Sequence, residues 1–281
     1  MSAPVASNAP AGDNTILGWD CHNHLFGPYD RYPLATDRSY TPPEALEDGH
    51  AEMLRRQGLS HAVLVQPSAY GDDHGRLLEA LSTHPHLRGV VVVRPDSTLS
   101  LGGLHARGVR AARFSHRSGS GTNFAGSASI EDLKALVPAL AEAGLHAELW
   151  TDCKALPDIV PVLSQLPFPI VIDHMGGFDP TAGPNQPGFL ALLKLVEKGQ
   201  AWVKLSAYRN TVGMDPELAR PFQERLQQAN ADRLVWGSDW PHLRISPVPD
   251  VPELLKKFRH WCDDEALVRR ILLDNPQRLY A

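Results

Sequence analysis

Asp20-Cys21-His22-Asn23-His24 ends an apolar run that begins at Ile16. On an extended segment, side chains two residues apart share a face. His22 and His24 are therefore expected at one strand end, their two imidazoles in one cavity. Two imidazoles so placed suit a divalent metal, zinc foremost. An HxH pair among 13 histidines says little alone. Its weight comes from the rest of the chain, which supplies further strand ends carrying ionisable residues.

After this first strand (residues 16–21), seven more short apolar runs follow, at residues 61–66, 89–94, 108–114, 146–150, 169–174, 201–206 and 233–239. Helical patterns separate most of them. One opens at Pro42-Pro43 and stops at Gly58. Another covers residues 73–84. Ser129 and Asp132 form a capping signal for a third, which Gly144 ends. Others cover residues 155–166, 188–199 and 216–229, and two more, at 251–261 and 264–273, close the chain. Strands alternating with helices give parallel sheet, and eight of them point to a single-domain α/β protein, a (β/α)8 TIM barrel over residues 14–281. A doubly wound open sheet would want a glycine-rich turn after its first strand, where this chain has His22-Asn23-His24.

Composition bounds the rest. The chain has 281 residues, 43% of them hydrophobic, enough for one large core. A net charge of −5 argues against nucleic acid. No run approaches the length of a membrane span. Residues 1–13, rich in Ala, Ser, Pro, Asn and Gly, read as a mobile tail rather than a signal peptide. Three scattered cysteines make no disulfide framework, which fits a reducing cytoplasm. A monomer or homodimer is expected.

In such barrels the C-terminal strand ends build the site. Here they carry His22 and His24; Gln66 and Ser68; Arg94; Arg113, with His116 and Arg117 beyond; Glu148; Asp173 and His174; Ser206, with Tyr208 and Arg209 beyond; and Ser238, Asp239 and His242. Each has a bland reading. Arg94 precedes a proline and reads equally well as a rim ion pair. His116 lies beside a Gly/Ser loop and reads as solvated. His84 and His86, a second HxH around Pro85, read as surface. Glu148 is different: between Ala147 and Leu149 it points opposite to them, and a buried carboxylate must be paired or ligated. Lys204, between Val203 and Leu205, is not expected in the site.

Asp20-Cys21-His22-Asn23-His24, Ile172-Asp173-His174 and Trp236-Gly237-Ser238-Asp239-Trp240-Pro241 together resemble the amidohydrolase superfamily. Segments such as Phe26-Gly27-Pro28, Val65-Gln66-Pro67-Ser68 and Asp274-Asn275-Pro276 extend the likeness over nearly the whole chain. They point to the branch of lactone-processing enzymes that includes pyrone-dicarboxylate, sulfomuconolactone and fuconolactone hydrolases and a galactarolactone isomerase. The resemblance implies a catalytic cluster of His22, His24, His174 and Asp239. It also implies that Tyr40, Ser68, Arg113 and Arg209 hold substrate carboxylates, with Arg117, His116 and Tyr208 nearby. The pyrone hydrolase has a further arginine where this chain has Gly119, which argues against a dicarboxylated pyrone. The wider superfamily's second metal site lacks its ligands here, so one metal at most is expected, and members of the branch differ on holding zinc at all.

The expected activity is hydrolysis of a small acidic lactone. Asp239 is the general base. His22, His24 and His174 either hold one zinc with Asp239 and perhaps Glu148, or polarise the carbonyl directly. A lactone isomerase, a decarboxylase and a non-catalytic binding protein on the same barrel are the alternatives.

Overall fold

The computed structural model describes residues 17–119, 123–262 and 264–281. The expected tail, residues 1–13, lies outside them. Eight strands are present: β1 (Trp19–Asn23), β2 (His61–Val65), β3 (Leu87–Val91), β4 (Val109–His116), β5 (His146–Thr151), β6 (Ile170–Ile172), β7 (Ala201–Leu205) and β8 (Leu234–Trp236). All pair in parallel and in sequence order. β8 returns to β1 through two backbone bonds: Asp239 N–H donates to the His22 carbonyl at 2.8 Å and His24 N–H to the Trp240 carbonyl at 2.9 Å. The result is the expected (β/α)8 barrel. Closure thus runs through the residues that bound the candidate site.

The closure needs Gly237. A Cβ there would stand 2.7 Å from the His22 Cβ and 3.0 Å from its backbone nitrogen. No other residue lets β8 approach β1 so closely.

Helices α1 (Glu47–Gln57), α2 (Gly75–Thr83), α3 (Ile130–Glu142), α4 (Leu156–Leu163), α5 (Pro187–Glu197), α6 (Arg220–Asn230), α7 (Val251–His260), α8 (Glu265–Arg269) and α9 (Asn275–Tyr280) accompany the strands. The capping box of α3 forms as its sequence predicts: Asp132 N–H donates to Ser129 Oγ and Ser129 N–H to Asp132 Oδ2. α1 departs from expectation. Pro42-Pro43 does not open it, because Ala45 exchanges two backbone bonds with Phe26, at 2.8 and 2.9 Å, and is held extended. The helix starts only at Glu47.

Two apolar layers result. One lies between the strands and the helices, with Phe114, Leu149, Phe189 and Phe222 among its members. The other fills the barrel itself: Trp19, Cys21, Val63, Val65, Val90, Ala111, Val171, Trp202, Val235 and, from α9, Tyr280. No helix among the described residues is long and apolar enough to cross a membrane.

Candidate active site

The strand ends open into a cavity of about 340 Å³. His24, Tyr40, Ser68, Arg113, Arg117, His174, Arg209 and Asp239 line it, so most of the expected site residues converge. His22 lies just below, fully buried. Cys21 belongs to the barrel interior, so strict alternation would turn His22 outward. The pairing of β1 with β2 slips between Asp20 and Asn23, and an irregularity of this kind re-aims a side chain. The His22 ring lies 5.0 Å from that of His24 and 4.8 Å from that of His174, between ring centroids.

His174 and Asp239 reach the site by a shared device. Each follows a short strand and takes a left-handed backbone, with φ of 50° and 61°. Non-glycine residues hold that conformation only when their surroundings enforce it, and such strain gathers at functional sites. Asn210 helps by donating to the His174 carbonyl at 2.9 Å.

Asp239 has two differently served oxygens. Oδ2 accepts from the Tyr208 hydroxyl and from Arg209 Nε, both at 2.8 Å, and from a second Arg209 nitrogen. Oδ1 faces the imidazoles, 3.2 Å from His24 Nε2 and 3.6 Å from His22 Nε2. Burial alone would raise the carboxyl pKa. Arg209 and His174 outweigh it and hold Asp239 well below the usual carboxylate range. Burial, with the Lys204 charge, pushes His22 far down, and burial lowers His174 to about 4. Near neutral pH, these two rings are uncharged and Asp239 is ionised.

These atoms fit one divalent cation. His24 Nδ1 lies 2.8 Å from the Val65 carbonyl, which can only accept, so Nδ1 carries the hydrogen. In the uncharged ring, Nε2 then turns a lone pair toward an anionic oxygen, an arrangement that a shared proton or cation relieves. His22 Nδ1 lies 3.4 Å from Asp173 Oδ1, and the tautomer that donates there leaves Nε2 as a lone pair. His22 Nε2 and His174 Nδ1 are buried with no hydrogen-bond partner. Potential ligand atoms of His22, His174 and Asp239 all lie within 4.8 Å of one another.

A second polar layer lies beneath. Lys204 is fully buried in the barrel, contrary to expectation. Its ammonium donates to Glu148 Oε2 at 2.5 Å and lies 3.2 Å from His22 Nδ1 and 3.4 Å from Asp173 Oδ1. Glu148, His22 and Asp173 also have the spacing of a cation site, and the ammonium fills it. Glu148 accepts from the Tyr280 hydroxyl at 2.7 Å through its other oxygen. Both of its oxygens are thus engaged below the cavity. Burial raises its pKa, with the Lys204 charge opposing.

The arginines are also more engaged than expected. Arg113 Nε donates to Asp173 Oδ2 at 2.8 Å, Arg209 binds Asp239, and Arg117 Nε lies 3.7 Å from Asp152. Tyr208 reaches Asp239 from behind rather than lining the cavity. His116 is likewise absent from the lining, since alternation on β4 gives the inward positions to Arg113 and Ser115. Ser68 donates to the Tyr40 hydroxyl at 3.5 Å. Arg94 pairs with Asp96 at 3.5 Å, the bland reading. Phe124, Trp150 and Arg244 also line the cavity and were not singled out from sequence. Phe124 and Arg244 sit in loops without periodicity.

Comparison with known proteins agrees with this geometry. Over 99% of its length the chain is 30% identical to 4-sulfomuconolactone hydrolase of Rhizobium radiobacter, covering 93% of that enzyme. It is 30% identical to 2-pyrone-4,6-dicarboxylate hydrolase of Comamonas testosteroni, over 93% of this chain and 89% of that one. A crystal structure from Pseudomonas putida, 33% identical, superposes with a TM-score of 0.81 over 95% of this chain and 98% of its own. A family model described as amidohydrolase matches residues 19–281, and the chain belongs to that family.

Proposed function

We propose that the protein hydrolyses a small lactone carrying an acidic group. The observation that carries this reading is the Asp239 carboxylate. One oxygen is clamped by Arg209 and Tyr208, the other faces three imidazoles, and the whole lies against an arginine-lined cavity. Both named relatives act on lactones with acid groups in their names.

In this reading Asp239 Oδ1 takes a proton from a water molecule as its oxygen attacks the ring carbonyl. The clamp on Oδ2 fixes the direction from which Oδ1 presents itself. His22 and His174 face the oxygen that gains charge. Collapse of the tetrahedral species breaks the ring C–O bond, and the departing oxygen takes the proton back from Asp239. The products are a carboxylic acid and a hydroxyl. Ser68, Tyr40 and the free edge of Arg113 hold the substrate's acid group. His22, His24, His174 and Asp239 would hold a single divalent ion, zinc being the best match to this donor set. When bound, such an ion polarises the carbonyl and acidifies water.

A panel of five- and six-membered lactones, each with and without a carboxylate or sulfonate, followed by acid release at constant pH, tests the proposal. Acidic lactones are expected to be opened at least tenfold more efficiently than their neutral esters, by about 1.4 kcal/mol or more of charge-assisted binding. No opening of any lactone, or equal rates on acid and ester, overturns it. Elemental analysis followed by chelation tests the metal separately: full activity in metal-free protein rules it out.

A further inference from the structure

Arg113, Arg117 and Arg209 each face a carboxylate of the protein itself: Asp173, Asp152 and Asp239. Three guanidinium charges are thus largely balanced before any ligand arrives. The fourth arginine of the lining, Arg244, has no carboxylate partner among the described residues. Its guanidinium lies over the Phe124 ring, 5.1 Å from the centroid. Phe124 in turn meets Trp150 at 5.3 Å, and Arg117 covers Trp150 at 4.4 Å. Arg244 therefore stands at one end of a wall of stacked rings and cations along the cavity.

Its backbone is also unusual. Arg244 holds φ of 61°, a left-handed conformation that favours glycine, in the same loop as Asp239 and His242. Side chains kept in that region are enforced by their surroundings and gather where function needs them. The loop thus places an uncompensated cation over an aromatic wall, beside the carboxylate that would do the chemistry.

We propose that Arg244 is a specificity residue that binds a second anionic group of the substrate, remote from the lactone carbonyl. This rests on the lactone-hydrolase reading and adds the substrate's charge: a planar ring carrying two anionic groups. Phe124 and Trp150 flank the ring, Arg113 with Ser68 and Tyr40 holds one anion, and Arg244 holds the other. An arginine stacked on an aromatic face is already ordered, so little further rotamer entropy is lost on binding an anion.

Isophthalate and benzoate, rigid rings with two carboxylates and one, are the probes, and calorimetry gives their Kd values. The unmodified chain is expected to bind isophthalate about tenfold more tightly than benzoate, the size of one charge-assisted contact. Arg244→Met should abolish that preference while leaving the benzoate Kd unchanged, and Arg244→Glu should invert it. Raising ionic strength should shrink the preference in the unmodified chain only. Equal weakening of both probes in Arg244→Met would mark the residue as structural and overturn the proposal. So would an unchanged preference, or the lack of any preference in the unmodified chain. The lactone panel is read separately: binding as expected without turnover defeats the hydrolase reading alone, and turnover with an unaltered preference defeats this one alone.

Discussion

Glu148 and Asp239 are both buried carboxylates, and each receives one cation and one tyrosine hydroxyl. They differ in how the oxygens are used. Glu148 gives one oxygen to Lys204 and the other to Tyr280. Asp239 places Arg209 and Tyr208 on the same oxygen and leaves the other toward the imidazoles and the cavity. A carboxylate satisfied at both oxygens is bracing, because nothing remains for a ligand to bind. A carboxylate clamped at one oxygen is a positioned base. The general lesson is that a buried polar group with an unused, aimed atom calls for a functional explanation, whereas a fully bonded one is explained by the fold.

The largest expected effect tests the upper carboxylate. Asp239→Asn keeps the shape and loses the proton acceptor, so kcat should fall by about 10²–10⁴-fold with little change in KM. Metal content and melting temperature, measured on the same preparation, separate loss of the base from loss of a ligand or a brace. A folded variant with near-normal kcat would remove Asp239 from the mechanism and erase the contrast with Glu148.

The next effect tests the lower one. Lys204→Met leaves Glu148 and Asp173 as buried carboxylates without their shared cation. Removing one member of a buried pair costs about 3–5 kcal/mol. The denaturation midpoint should fall accordingly. Unchanged stability would mean that the lower layer does not brace the barrel and that Lys204 serves the site instead.

Sequence made the barrel legible because eight apolar runs alternate with helical patterns, and that signal needs no knowledge of contacts. It made His174 and Asp239 legible because each breaks an apolar strand abruptly. His22 was found through an HxH spacing on a regular strand, whereas its actual aim involves a slip in β1 pairing that no periodicity records. Lys204 was readable and missed. Its neighbours Val203 and Leu205 give it the same alternation that placed Glu148 inside, and a buried carboxylate should have prompted a search for its cation. Tyr280 was not readable, since it meets Glu148 across 132 residues of sequence. The ion pairs of Arg113, Arg117 and Arg209 were equally hidden: a sequence supplies the charges but not which of them meet. Phe124 and Arg244 belong to loops whose course is set by tertiary contacts, such as Ala125 N–H donating to Ser39 Oγ at 2.9 Å.

The smallest effects make the sharpest comparison, because two tyrosines lose the same atom. Tyr280 donates to Glu148 at 2.7 Å and Tyr208 to Asp239 at 2.8 Å. A hydrogen bond to a charged group contributes about 1.5–3 kcal/mol. Tyr280→Phe leaves Glu148 Oε1 without its hydroxyl donor in a site no water reaches from the cavity, so that amount should appear as lost stability, with kcat unchanged. Tyr208→Phe leaves Oδ2 still held by Arg209, so stability should fall by less than in Tyr280→Phe. The loosened carboxylate should instead lower kcat by about tenfold, within that same range of energy. Chemical denaturation and steady-state kinetics on both variants give a two-by-two result. If both variants lose only stability, the two carboxylates are equivalent braces and the distinction between them fails. If Tyr280→Phe lowers kcat as much as Tyr208→Phe, the lower layer acts on the reaction through Lys204 and His22, and the boundary between scaffold and site lies one layer deeper in the barrel.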